Sequence, residues 1–195
     1  MNNQEPVWDK LYKSRLSWKK ETANLPNIIK GKSVLELGVG NGKTLLSIIK
    51  QKPKSVTAID ISEEALNKAK ESISSNKVQF IKANLLNFQA DEKFDIIVCY
   101  YVLNNLRNAE RKKAAMQIYD SLKKGGIVLF EDFAVGDFRE NKNRKDGLIC
   151  HFFAKSEIKS LFKSFNKIKI SERISFPFRV NKKLERKIIS AIIKK

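Results

Sequence analysis

Histidine occurs once in the 195 residues and cysteine twice. Cys99 and Cys150 sit in apolar surroundings and form no Cys-x-x-Cys pair, which excludes a disulfide framework and a zinc cluster. With His151 and scattered carboxylates they make no metal-ligand set. No metal is expected, and a reduced, cytoplasmic protein is. No run of ~18 apolar residues occurs, so no membrane-spanning helix is expected. The opening "MNNQEPVWDKLYK" lacks the apolar core of a signal peptide. Repeats and low-complexity linkers are also missing, which points to one domain over residues 1–195.

Acid is scarce too: 21 Asp+Glu stand against 39 Lys+Arg, a net charge of +18. The imbalance is uneven. Residues 1–138 carry 22 basic and 16 acidic residues, net +6; residues 139–195 carry 17 and 5, net +12. A basic last third suggests a polyanionic partner, RNA before others; a solvated face rich in lysine is the alternative.

What is present is an alternation. "SVLELG" (33–38), "SVTAID" (55–60), "VQFIKA" (78–83), "FDIIVCY" (94–100) and "IVLFED" (127–132) are short, continuous apolar runs. Helical spacing separates several of them: "GKTLLSIIKQ" (42–51), "SEEALNKAKESI" (62–73, Ser62 as N-cap) and "NAERKKAAMQIYDSLKK" (108–124, stopped by Gly125-Gly126). Buried strands alternating with helices predict an α/β fold with a doubly wound, mostly parallel, Rossmann-like sheet. Further on, "AKSEIKSLFKSF" (154–165) reads as a helix and "NKIKISERI" as a sixth strand. "LERKIISAIIKK" reads as a basic amphipathic helix that packs on the domain, with a membrane surface or RNA as alternatives. It follows "ISFPFRV", and a seventh strand is left uncertain.

The stretch "ELGVGNGKT" carries the chemistry. A phosphate-binding loop, GxxxxGK[ST], needs glycine at position 37, which is Leu37; Gly38 is one residue too close. A dinucleotide fingerprint, GxGxxG, fails at Lys43. ExGxGxG fits without repair: Glu36, Gly38, Gly40, Gly42.

In this motif, and in "VTAIDIS", "VQFIKANLLNF", "FDIIVCYYVLNNL" and "LKKGGIVLFED" taken in order, residues 30–165 resemble the class I S-adenosylmethionine (SAM)-dependent methyltransferases. The resemblance implies SAM as cofactor, in a core over residues 31–132 behind an N-terminal helical segment (1–30), with 133–195 facing the substrate. It implies that Glu36, Gly38, Gly40, Gly42, Asp60, Ile61, Asn84, Leu85 and Cys99 form or border the cofactor site. The glycines let backbone approach the ligand, and the following helix N-terminus faces the methionine carboxylate. Asp60 takes the ribose hydroxyls, with a helix N-cap as its alternative. Asn84 and the Leu85 N–H serve the adenine. Tyr100, Tyr101, Asn104 and Asn105 lie past the fourth strand, where the acceptor belongs; Tyr100, Asn104 and His151 are the candidate catalytic groups.

There is no [DNS]PP[FYW] motif for adenine N6 or glutamine amides, no Pro-Cys for pyrimidine C6, and no DNA-specific motif. "LFEDFAVGDFR…GLICHFFAKSEIKSLF" and Trp8-x-x-x-Tyr12 resemble the methyltransferase-like enzymes that make 3-methylcytidine in tRNA, without their long N-terminal arm. The expectation is methyl transfer to RNA, tRNA first. A small-molecule or lipid-like acceptor is the alternative, and a nucleotide hydrolase a more distant one.

Overall fold

Every long apolar run in the first two thirds of the chain forms a strand. In the computed structural model, residues 4–14, 23–140, 147–175 and 185–195 are described. The elements are α1 (Glu5–Lys13), β1 (Ser33–Leu37), α2 (Lys43–Lys50), β2 (Ser55–Asp60), α3 (Glu63–Ser72), β3 (Val78–Lys82), β4 (Phe94–Tyr100), a 3₁₀ turn (Leu103–Asn105), α4 (Asn108–Ser121), β5 (Leu122–Phe133), α5 (Lys155–Leu161), β6 (Lys167–Ser175) and β7 (Arg186–Lys194). They build one seven-stranded sheet in the order β3-β2-β1-β4-β5-β7-β6. β1 to β5 pair in parallel, and β7 runs antiparallel between β5 and β6.

Apolar side chains cover both faces, as the continuous strands require. Phe130, Phe153, Phe162 and Ile118 pack on the side of α4 and α5. Leu45, Ile48, Leu66 and Val98 pack on the side of α2 and α3. Ser62 caps α3 as expected, its Oγ accepting the Ala65 N–H at 3.1 Å. Among the described residues no helix is long and apolar enough to cross a membrane, and none form a metal-ligand cluster. Among the described residues Cys99 and Cys150 form no disulfide.

The sequence reading is corrected at two places. α4 stops at Ser121, not at the glycine pair, and β5 already begins at Leu122. Lys195 is the reason: its Nζ donates to the carbonyls of Tyr119 (2.6 Å) and Leu122 (2.9 Å) and so closes the helix end. The second correction concerns "LERKIISAIIKK". Its described residues form β7 rather than a helix, which supplies the seventh strand. Ile189, Ala191 and Ile193 alternate onto the buried face beside Val128 and Phe130. Residues 176–184, with most of "ISFPFRV", lie outside the described residues.

Candidate active site

A cleft opens at the carboxyl ends of β1, β2 and β4, where strand order reverses and doubly wound sheets bind ligands. Gly38, Ile59, Asp60, Ile61, Asn84 and Leu85 form its floor and one wall. Tyr101, Val102, Asn105, Leu106 and Glu110 form the other, and Gln4, Trp8 and Tyr12 of the α1 region roof it.

The turn after β1 is built for close approach. Gly38 has φ +66 and a Cβ there would lie 2.7 Å from Val102 Cγ2; Gly40 has φ +54 and its Cβ would lie 2.8 Å from the Tyr12 hydroxyl. Neither space nor backbone admits a side chain. Asp60 ties this turn to the next one. Its Oδ2 accepts the Gly40 N–H and its Oδ1 the Ser62 N–H, both at 2.9 Å. Burial raises its pKa, against the pull of those backbone donors. Glu36, 2% exposed, lies two residues before Gly38, and among the described residues its Oε2 has no hydrogen-bond partner. Burial first, and the charge of Asp60 second, raise its pKa well above the ordinary value.

α1 is fastened as a roof. Pro6 and Glu5 suit its first turn and Lys10 and Lys13 its last. Asp9 Oδ1 accepts the Ser62 hydroxyl at 2.6 Å and the Glu64 N–H at 3.4 Å. Gln4 Nε2 donates to the Asn105 carbonyl at 3.1 Å, and Lys82 pairs with Glu5 at 2.8 Å. We expect Asp9→Ala to weaken S-adenosylhomocysteine binding about three- to tenfold, part of the worth of one charge-assisted hydrogen bond, because Gln4 and Glu5 still hold the roof. Titration calorimetry checks this, and unchanged affinity would remove α1 from the site.

Of the residues singled out from the sequence, Gly38, Asp60, Ile61, Asn84 and Leu85 line the cleft. Glu36, Gly40, Gly42 and Cys99 stand behind or beside it, and burial raises the Cys99 thiol's pKa. Asn84 Oδ1 accepts the Leu86 N–H at 2.9 Å and shapes the turn after β3. Each candidate catalytic residue lies off the cleft wall, and in two cases its neighbour lines it instead. Tyr101 and Asn105 face the cleft, while the Tyr100 hydroxyl points to the Asn24 carbonyl (3.4 Å) and Asn104 is buried against Asp132. Tyr101 adopts φ +58, rare for a side-chain-bearing residue, which swings its ring inward. His151 Nε2 contacts both Glu157 oxygens, at 2.9 and 2.8 Å, and its N–H donates to the Asn104 carbonyl. It ties the loop before α5 to the domain, outside the cleft lining.

Sequence reasoning passed over Glu131. Its Oε1 accepts from the Tyr101 hydroxyl (2.7 Å) and Arg173 (2.8 Å), and its Oε2 from Ser190 (3.0 Å). Only a charged residue inside the apolar run "IVLFED" could have signalled it. Beside it, burial drives the Asp132 carboxyl well above its usual range while its oxygens accept the Phe133 and Asn104 N–H groups.

Residues 34–126 match the family model described as a methyltransferase domain, and they lie on the sheet described above. Three similarities define its neighbourhood. A carboxy-S-adenosyl-L-methionine synthase of Wolinella succinogenes is 34% identical over 122 residues, covering 60% of this chain and 50% of that protein. The tRNA N(3)-methylcytidine methyltransferase of Schizosaccharomyces pombe is 26% identical over 175 residues, covering 78% and 57%. The N-methyltransferase NodS from Bradyrhizobium japonicum, solved with S-adenosyl-L-homocysteine, shares the fold at a TM-score of 0.65 and 17% identity, covering 85% of this chain and 79% of that one. The chain thus spans half to three fifths of the length of these curated relatives.

The residues fit the cofactor this class takes. Two glycines with no room for Cβ make the cradle. A buried carboxylate oxygen without a partner, next to a second carboxylate, calls for a cation such as an amino acid ammonium.

Proposed function

We propose that this protein transfers a methyl group from SAM to a small-molecule acceptor. The observation that carries this reading is the Glu36–Asp60 pair beneath a glycine cradle, in a cleft roofed by α1. Bound SAM supplies a methyl group already activated on a sulfonium. The chain is left to align the acceptor and exclude water. α1 and Trp8 do the second. Tyr101 serves the first: its one hydroxyl proton is donated to Glu131, so the oxygen can only accept, and it faces a donor on the acceptor. Burial, and then the charge of Glu131, raise the Tyr101 pKa, so the hydroxyl orients the acceptor as a neutral group. We expect Tyr101→Phe to lower kcat about tenfold and leave S-adenosylhomocysteine affinity within twofold, measured by methyl transfer and calorimetry.

RNA is the second reading, favoured by the +18 net charge and by the Schizosaccharomyces relative. The first of the relatives above bears the name of a cofactor-sized product, which favours the small-molecule reading. The deciding experiment gives labelled SAM to the protein with an RNA-free metabolite extract and, separately, with total RNA. Label in the metabolites supports the proposal; label in RNA alone overturns it.

A further inference from the structure

The acceptor side of the cleft borders a cluster that the reaction does not require. Register places Glu131, Phe133, Ile188, Ser190, Arg173 and Arg186 on one face of the sheet, since Glu131 pairs with Ser190, Phe133 with Ile188, Arg173 with Ile188 and Ser175 with Arg186. Tyr101 joins them from the cleft wall, its hydroxyl on Glu131 and its ring 5.0 Å from that of Phe133. The Arg139 guanidinium covers the Phe133 ring at 3.8 Å.

Three guanidiniums therefore meet two carboxylates. Arg139 is fully matched: it holds Asp137 with two bonds, of 2.7 and 2.9 Å. Arg173 is matched by Glu131 at 2.8 Å. Arg186 is not matched by any ion pair among the described residues, and its Nε is buried without a hydrogen-bond partner. Its charged neighbours include Arg139, Asp137 and Arg173, with the neutral Tyr101 hydroxyl beside them. Burial, and then repulsion from Arg139, lower its pKa. A half-buried guanidinium whose buried Nε lacks a partner gains from an anion that completes it, and a guanidinium fork suits the two oxygens of a carboxylate or phosphate.

We propose that Arg186, framed by Arg139 and Arg173 beside Tyr101, binds a carboxylate or phosphate group of the small acceptor. The alternative, an RNA backbone phosphate, is disfavoured because the open nitrogen is buried, whereas backbone contacts are made by exposed cations. This deepens the small-molecule reading and rests on it.

The test uses the full chain saturated with S-adenosylhomocysteine. Malonate and inorganic phosphate are titrated calorimetrically at ionic strength held constant with sodium chloride. At least one probe is expected to bind the wild type, and the stronger one names the anion class. Arg186→Gln should weaken it about tenfold or more, while Lys194→Gln, which removes an exposed charge from the same strand, should change it less than twofold. Should Arg186→Gln fail to fold, Arg186→Lys carries the test: charge without the fork is expected to lose affinity several-fold, and unchanged affinity overturns the assignment. Binding of neither probe overturns it, as does equal weakening by Arg186→Gln and Lys194→Gln, which marks diffuse attraction to a basic surface. Failure of S-adenosylhomocysteine itself to bind instead sinks the methyltransferase reading. The anion titration, repeated without it, is judged separately.

Discussion

Asp60→Ala should lower S-adenosylhomocysteine affinity by about 10- to 100-fold and destabilise the free protein at the same time. Two losses combine. The carboxylate that would take the ribose hydroxyls disappears, and charge-assisted hydrogen bonds are each worth about 1.5–3 kcal/mol. The Gly40 and Ser62 N–H groups also lose their acceptors. A buried donor left unsatisfied costs about 1–3 kcal/mol, so the melting temperature should fall by several degrees. Asp60→Asn is no rescue, because one of its two positions would present an amide donor to a backbone donor. Calorimetry and thermal unfolding measure both effects. Unchanged affinity in a folded Asp60→Ala protein would refute the ribose role.

Glu36→Gln should produce opposite signs. Ligand affinity falls about tenfold or more, because a cationic group loses its anionic partner. The free protein gains stability near neutral pH. The sign follows from linkage: the folded-state pKa of Glu36 lies above its ordinary 4.5. Its contribution to stability is complete below that ordinary value and is lost as pH rises toward the folded one, while the unfolded chain ionises freely. Gln has no such loss, so its advantage appears above about pH 4.5 and vanishes below it. A gain of about 0.5–2 kcal/mol is the scale of a relieved buried conflict. Ligand binding by the wild type should strengthen as pH rises through the same window. Thermal melts of both proteins across pH 4–8 decide the matter, and a Glu36→Gln protein less stable at pH 7 than at pH 4 by the wild-type margin counts against it.

The wall of the cleft that Gly38, Asp60 and Asn84 line was legible because its signals are local. Glycines at alternate positions after an apolar strand, and an acid at the end of the next strand, mean the same thing wherever they occur. The acceptor half was not. Whether Tyr100 or Tyr101 enters the cleft depends on one positive φ at Tyr101, which no adjacent residue announces. Asn104 and Asn105 are sorted by the short 3₁₀ turn, Leu103–Asn105, that contains them. Glu131, Arg173 and Arg186 come together only through strand register, across up to 55 positions of chain. β7 was misread for a related reason. An interior strand is apolar on both faces, so Ile188, Ile189, Ala191, Ile192 and Ile193 satisfy helical spacing as well as alternation. Its four isoleucines, which favour strands, were the discriminating hint.

β7 also sets an order on assembly. Its position between β5 and β6 means that β6, although earlier in the chain, has no place in the sheet until residues 186–194 arrive. The strands from β1 to β5 can pair outward without them. Until then β5 and β6 each expose a row of unpaired backbone groups, the kind of edge that recruits strands from other molecules. Folding should therefore finish with a slow, long-range closure of the β6–β7 pair onto β5. A chain cut short before β7 should aggregate rather than persist as a smaller version of the same domain.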